Sequence, residues 1–246
     1  MALPRVLVVE DDPAARRFVV DSLAGLELEV VTAATVELAL ESLAAAQFHL
    51  VITDLTFSGA SGLELLQRLR QWPAPAPLAM VFSGGLHTAM REQLGALGVS
   101  RCIAKPASRQ ELAQAVRVAL NLADWPEAPT QENRLDHTGL KPFELAAIET
   151  FFDGDRSFYE IFKASCVEQF AVDIAAGDQA AASGDAGTLR RVAHSLKSVL
   201  QTLGYADHSV CARSVEEAAQ HRGLAEATVA WQDLRGRIVQ SFGLSV

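Results

Sequence analysis

At 246 residues, half of them hydrophobic, the chain can build two ordinary cores and is short for three. Its formal charge of −9 splits into −2 over residues 1–121 and −7 over the remainder, so no part of it attracts nucleic acid. The three cysteines, Cys102, Cys166 and Cys211, lack metal-ligand spacing, and no apolar run approaches the roughly 18 residues of a membrane span, so a soluble cytoplasmic chain without a membrane partner is expected.

The first half alternates short apolar runs with helical periods. Strands are predicted at Val6 to Val9, Leu28 to Val31, Leu50 to Thr53, Leu78 to Phe82 and Cys102 to Ala104. Helices are predicted between and after them, over Pro13 to Leu23, Val36 to Ala46, Leu63 to Arg70, His87 to Leu97 and Arg109 to Leu122. Five such β/α units imply a parallel, doubly wound sheet with helices on both faces. In sheets of this kind the functional crevice lies beyond the carboxyl ends of the strands.

Polar residues fall at those ends. The first strand runs into Glu10, Asp11 and Asp12, the third ends at Asp54, the fourth at Ser83, and the fifth at Lys105 before Pro106. Asp12 before Pro13 reads as a helix cap with proline at the first helical position. Carboxylates converging on one rim repel unless a cation neutralises them, and hard oxygen donors suit Mg²⁺. The lysine offers a compact positive charge and the serine a hydroxyl to phosphoryl oxygens, which leaves Asp54 as the nucleophile of an in-line transfer. Alone, each of these residues would be an ordinary cap or turn residue; one at each successive strand end is a constellation.

These residues resemble a response-regulator receiver domain. The resemblance covers residues 4 to 121 and rests on VLVVEDD at 6–12, VITDL at 51–55, Gly62 eight residues after Asp54, VFSG at 81–84 and AKP at 104–106. It implies a flavodoxin-like (CheY-like) five-stranded sheet, with Asp54 as phosphoacceptor and Glu10 and Asp11 as the acidic pair. It also implies Ser83 as the hydroxyl switch residue, Lys105 as the phosphate-sensing lysine, and Thr56 as the residue offering a backbone carbonyl to Mg²⁺. Two departures stand out: Phe57 and Ser58 replace the usual Met-Pro, and Cys102 stands where an aromatic switch residue is common. A small thiol cannot swing a large ring, so a receiver used for chemistry more than for shape change is expected.

After Leu122 the texture changes. Residues 123–139 are polar, contain two prolines and lack an apolar stripe, as a linker would. Beyond it, Phe143 to Phe152, Phe158 to Ala176, Thr188 to Leu203, Ser209 to Gln220 and Ala225 to Phe242 carry apolar spacings of three and four, broken at Gly154, Gly177, Gly184, Gly204 and Gly223. A short leading helix and four longer ones suggest an antiparallel four-helix bundle over residues 140–246. No phosphate-binding glycine loop occurs in it, which argues against a kinase.

On a helical wheel, Leu189, Val192, Leu196, Val199 and Leu203 cluster about 180° from His194, and Arg190, Arg191, Lys197, Ser198 and Gln201 lie within about 60° of it. An exposed imidazole ringed by cations is expected, suited to accepting phosphate. The string AHSLKSVLQTLGY at 193–205 resembles the histidine-containing phosphotransfer (HPt) motif. That resemblance implies His194 as phosphoacceptor, Lys197 as the lysine beside the phosphate and Gly204 as the glycine that ends the helix. Ser198 departs from the usual glycine there.

The two resemblances together imply a phosphorelay intermediate. A simple or hybrid sensor histidine kinase would phosphorylate Asp54, and His194 would pass the phosphate to the receiver of a downstream response regulator. Two other readings stay open: Asp54 as a phosphate sink beside an HPt domain served by another kinase, and a phosphorylation-controlled adaptor. A phosphatase of the haloacid dehalogenase type would need a second aspartate where Thr56 stands.

Overall fold

The computed structural model describes residues 3–57, 61–84, 86–122 and 139–245. The chain divides into two compact units, residues 1–136 and 137–246. The expected linker, with Ser58, lies outside the described residues, apart from Gly139.

In the first unit five strands, β1 (Arg5–Val9), β2 (Glu29–Ala33), β3 (Leu50–Thr53), β4 (Leu78–Ser83) and β5 (Val99–Ala104), form one parallel sheet in the order β2-β1-β3-β4-β5. Helices α1 (Pro13–Leu23), α2 (Val36–Ala45), α3 (Gly62–Arg70), α4 (Thr88–Ala96) and α5 (Arg109–Leu120) alternate with them. Strand β3 is buried throughout and β1 from Val6 to Val9, as parallel strands covered on both faces must be. Asp12, Thr35, Ser61 and Ser108 accept side-chain cap bonds at the starts of α1, α2, α3 and α5. At the sheet edge β5 begins three residues earlier than expected, because Ser100 and Arg101 are exposed and dilute the apolar signal there. Similarly, β2 lies later than Leu28 to Val31 and runs to Ala33.

The second unit is helical: α6 (Pro142–Phe151), α7 (Arg156–Ser183), α8 (Ala186–Thr202), α9 (Ala206–Glu217) and α10 (Leu224–Phe242), with a π-helical turn at Ala218–Arg222. Helix α7 packs on α8, α8 on α9, α9 on α10, and α10 back on α7. The expected break at Gly177 does not occur; α7 runs through it for six more residues, to Ser183. Gly177 is there for space, since a Cβ on it would stand 2.1 Å from Cζ2 of Trp231, which is itself anchored by an Nε1–H bond to Asp178. Gly204 does end its helix, in the left-handed region at φ +89°. It also admits the backbone of α6, whose Phe143 carbonyl would lie 2.5 Å from a Cβ at that position.

Glu144 ties α6 down. Its buried carboxylate accepts from Lys163 Nζ (2.5 Å) and the Lys141 N–H (2.9 Å), and the Tyr159 hydroxyl lies 3.1 Å from it. Burial pushes this acid up, but these hydrogen bonds hold it below the usual carboxylate range.

Candidate functional site

Strand register brings the first constellation together. Val9 pairs with Thr53, so Glu10 and Asp54 emerge side by side, with the Asp54 N–H bonded to the Val9 carbonyl. Ser83 pairs with Ala104, so Lys105 emerges next to Ser83, its N–H on the Ser83 carbonyl. Four residues far apart in sequence therefore meet at one sheet end, where the crevice of an open α/β sheet lies. Gly62 allows the following turn to close over Asp54, because a Cβ there would fall 2.0 Å from the Asp54 carbonyl oxygen.

Lys105 bridges the two acids: its Nζ lies 2.7 Å from Asp54 Oδ2 and 2.6 Å from Glu10 Oε2. All three side chains are almost wholly buried. Burial alone would raise Asp54, but the Lys105 ammonium holds it below the ordinary aspartate range, helped by Ser83 and the Leu55 N–H. Burial would likewise strip Lys105 of its proton, and the charges of Asp54 and Glu10 reverse that and push it up. Glu10 is pushed up to about 8, first by burial and then by Asp54 and Asp12, against the pull of Lys105. One ammonium thus serves two buried carboxylates, and Asp54 keeps the ionised state.

Asp54 Oδ1 accepts from the Leu55 and Thr56 N–H groups, which leaves Oδ2 on the lysine side. The Ser83 hydroxyl is fully buried and makes no well-formed hydrogen bond, yet it lies close enough to Asp54 to help hold its pKa down. An unsatisfied buried hydroxyl beside a carboxylate is a donor waiting for an oxygen that is not part of the resting pocket.

A hard cation fits this donor set in kind. Two buried carboxylates, Glu10 and Asp54, share the single ammonium of Lys105, and Glu10 is raised to about 8 despite it, so the pocket is short of positive charge. Among the described residues, though, no three acidic, histidine or cysteine side chains are grouped as a ready-made cage. Lys105 draws Glu10 and Asp54 to itself instead.

The second constellation differs from the expectation. His194 is not a solvated ring among cations; its side chain is only 15% exposed, and a carboxylate holds it. Nδ1 lies 2.7 Å from Glu216 Oε1, and the other oxygen of Glu216 takes Lys197 Nζ at 2.6 Å. The wheel described one helix and could not show α9, which supplies Glu216. The signal available was the inner stripe of α9, Ser209, Ala212 and Val215, with Glu216 on its border. The buried residues of α8 are Leu189, Ala193, Leu196, Val199, Leu200 and Thr202, while Val192 is only half-buried. Of the nearby arginines, Arg191 is engaged with Thr188.

Burial would raise Glu216, but hydrogen bonds from His194 and Lys197 overcome it and hold the acid at about 2. In the neutral form of the ring, an ionised carboxylate against Nδ1 favours the tautomer that carries its proton there. The lone pair is then on Nε2, which is buried and without a hydrogen-bond partner. Ser209 Oγ donates to the Lys197 carbonyl and Thr202 Oγ1 to that of Ser198, fixing the turn below the histidine.

The response regulator receiver domain family model matches residues 6–117. Over 138 residues the chain is 33% identical to the response regulator protein PilR of Pseudomonas aeruginosa, covering 55% of this chain and 30% of that protein. Over 143 residues it is 27% identical to the sensor histidine kinase GacS of Pseudomonas protegens, covering 56% of this chain and 16% of that one. The chain thus spans well under two thirds of the curated relatives it matches. Among solved structures, a response regulator from Thermotoga maritima in complex with Mg²⁺ and BeF is 26% identical with a TM-score of 0.43, covering 48% of this chain and all of that one. Matched sequence, strand order and the pocket of Glu10, Asp54, Ser83 and Lys105 agree: residues 6–117 form a response regulator receiver domain.

Proposed function

We propose that the chain is a phosphorelay intermediate in which residues 140–246 act as a histidine phosphotransfer domain. Asp54 takes a phosphoryl group from a sensor histidine kinase, and His194 relays it to the receiver domain of a downstream response regulator. The observation that carries this reading is the setting of His194: Nδ1 is committed to Glu216, while Nε2 has no hydrogen-bond partner, one turn from Lys197. The likeness of part of the chain to a sensor histidine kinase supports a place in the same phosphate traffic.

In the first step an Asp54 oxygen attacks phosphorus, a P–O bond forms and the donor's P–N bond breaks. Lys105 offers its ammonium to the incoming phosphoryl oxygens, and the Ser83 hydroxyl donates to another. A hard divalent cation such as Mg²⁺, when bound, would neutralise charge on those oxygens; Glu10, Asp11, Asp54 and the Thr56 carbonyl are the groups that would hold it. In the second step His194 Nε2 attacks the acyl phosphate, forming a P–N bond and releasing the Asp54 carboxylate. The Nδ1 proton stays toward Glu216, which balances the charge that builds on the ring.

The test uses the full chain with a phosphorylated kinase or a small phosphodonor. Base-labile acyl phosphate should appear first and acid-labile phosphohistidine after it. Asp54→Asn should abolish both, and His194→Gln only the second. Phosphohistidine formed directly in Asp54→Asn would favour a bundle served by another kinase, with Asp54 as a sink.

A further inference from the structure

We propose that Arg16 is a positioning residue for the cation of the receiver pocket, a role that rests on reading Glu10 and Asp11 as its ligands. Arg16 stands in the first turns of α1, four residues after the Asp12 cap. Its Nη1 donates to the Glu10 carbonyl at 2.6 Å and to the Asp11 carbonyl at 3.3 Å. Among the described residues these are its side-chain hydrogen bonds, and none runs to a carboxylate, although Glu10, Asp11 and Asp12 are all in the turn it holds.

That choice is informative because a guanidinium gains more from a carboxylate than from a carbonyl. Asp12 is occupied as the helix cap, through Ala15 N–H at 2.7 Å, and Glu10 is drawn to Lys105. Arg16 instead holds the backbone. Fixing the two carbonyls fixes the planes of the Glu10–Asp11 and Asp11–Asp12 peptides, and with them the directions in which the Glu10 and Asp11 side chains leave the chain. The turn is thereby kept in one shape against the mutual repulsion of its acids.

The effect has a sign that separates it from plain electrostatics. As a nearby positive charge Arg16 opposes a cation, so by Coulomb's law its removal should tighten cation binding. As the clamp of the turn, its removal should loosen binding, since groups that orient metal ligands typically contribute about 10–100-fold in affinity.

The experiment is a calorimetric titration of the full chain with Mg²⁺ alone, for the wild type, Arg16→Ala, Arg16→Gln and Arg16→Lys. Arg17→Ala serves as a surface control, because Arg17 pairs with Asp21 on the exposed side of α1, and Asp11→Asn as a loss-of-ligand control. Amide hydrogen exchange of residues 10–13 in metal-free protein is the second readout. The expected result is an Mg²⁺ Kd raised about tenfold in Arg16→Ala, an intermediate rise in Arg16→Lys, and faster exchange at 10–13. Labelling of Asp54 by a small phosphodonor should recover at saturating Mg²⁺. Equal or tighter Mg²⁺ binding by Arg16→Ala, with unchanged exchange, overturns the proposal. A wild type that binds no Mg²⁺, or Asp11→Asn binding as well as the wild type, overturns the ligand reading and the proposal with it.

Discussion

Lys105 reaches across the sheet end to place its ammonium 2.7 Å from Asp54 and 2.6 Å from Glu10, so one buried cation holds two buried acids. Removing it does two things. Lys105→Ala leaves two buried acids without their cation, and breaking a buried ion pair from one side costs about 3–5 kcal/mol. The same variant lacks the charge that meets incoming phosphoryl oxygens, so labelling of Asp54 should fall by about tenfold or more. Thermal denaturation and a phosphodonor time course read the two effects separately. A variant that melts normally and labels normally would show that Lys105 neither neutralises the pocket nor assists transfer.

Glu216 and His194 make a pH-dependent contact whose direction can be worked out. Glu216 is held at about 2 in the fold against an ordinary 4.5, so its contribution to stability is full above about 4.5 and is lost as pH falls toward 2. The difference in Tm between the wild type and Glu216→Gln should therefore be largest at pH 6 and shrink steadily toward pH 3. Imidazole nitrogen chemical shifts of His194 supply a second check, since the Gln side chain no longer favours a proton on Nδ1 over Nε2 as strongly. A Tm difference that does not vary between pH 6 and pH 3 would mean that the carboxylate is not ionised against the ring.

Glycines in these helices are not equivalent, and Gly177 and Gly236 show it. Gly→Ala in a helix interior gains up to about 1 kcal/mol from propensity alone. At Gly236 of α10 nothing lies within 4 Å of the added methyl, so Gly236→Ala should raise stability by about 0.5–1 kcal/mol. At Gly177 the methyl would enter the Trp231 ring, and overpacking of this kind typically costs about 1–3 kcal/mol, more than propensity returns. Chemical denaturation of the two variants should shift in opposite directions. A stabilised Gly177→Ala would mean that Trp231 can move aside, despite its bond to Asp178.

Much of the receiver was readable from sequence because its signals are local. Each strand end carries its own polar residue, α1 matches its expected limits of Pro13 and Leu23, and β3 matches at Leu50 and Thr53. The His194 site was half readable, because its motif lies on one helix while Glu216 comes from the next. Periodicity on α8 shows which face is apolar and says nothing of what a neighbouring helix lays over the other face. Gly177 misled for a related reason: glycine reads as a break unless the partner ring that needs the space is known. Arg16 gave no signal at all, since its partners are backbone carbonyls.

Cys102 offers the sharpest test of how this receiver responds to phosphate. It lies on β5, half-buried, and packs into the core cluster together with Leu86 and Met90 at the α4 side. No ring occupies that position to swing between inner and outer sites. Helix α4 itself fully buries only Leu94, with Met90 partly buried beside it, and is otherwise tied by polar contacts: the His87 cap on the Met90 N–H, Arg70 on the Ala96 carbonyl and Arg91 on the Cys102 carbonyl. Binding of beryllofluoride should draw Ser83 and Lys105 inward, because the Ser83 hydroxyl is buried and unsatisfied beforehand. With no ring to move, the response should stay near the pocket. Amide hydrogen exchange should therefore slow in the segments just after Asp54 and just after Ser83, with little change from Thr88 to Ala104. A strong response through α4 and β5 would show that the weakly buried helix shifts without any aromatic residue, and that Leu86 and Met90 transmit what a ring transmits elsewhere.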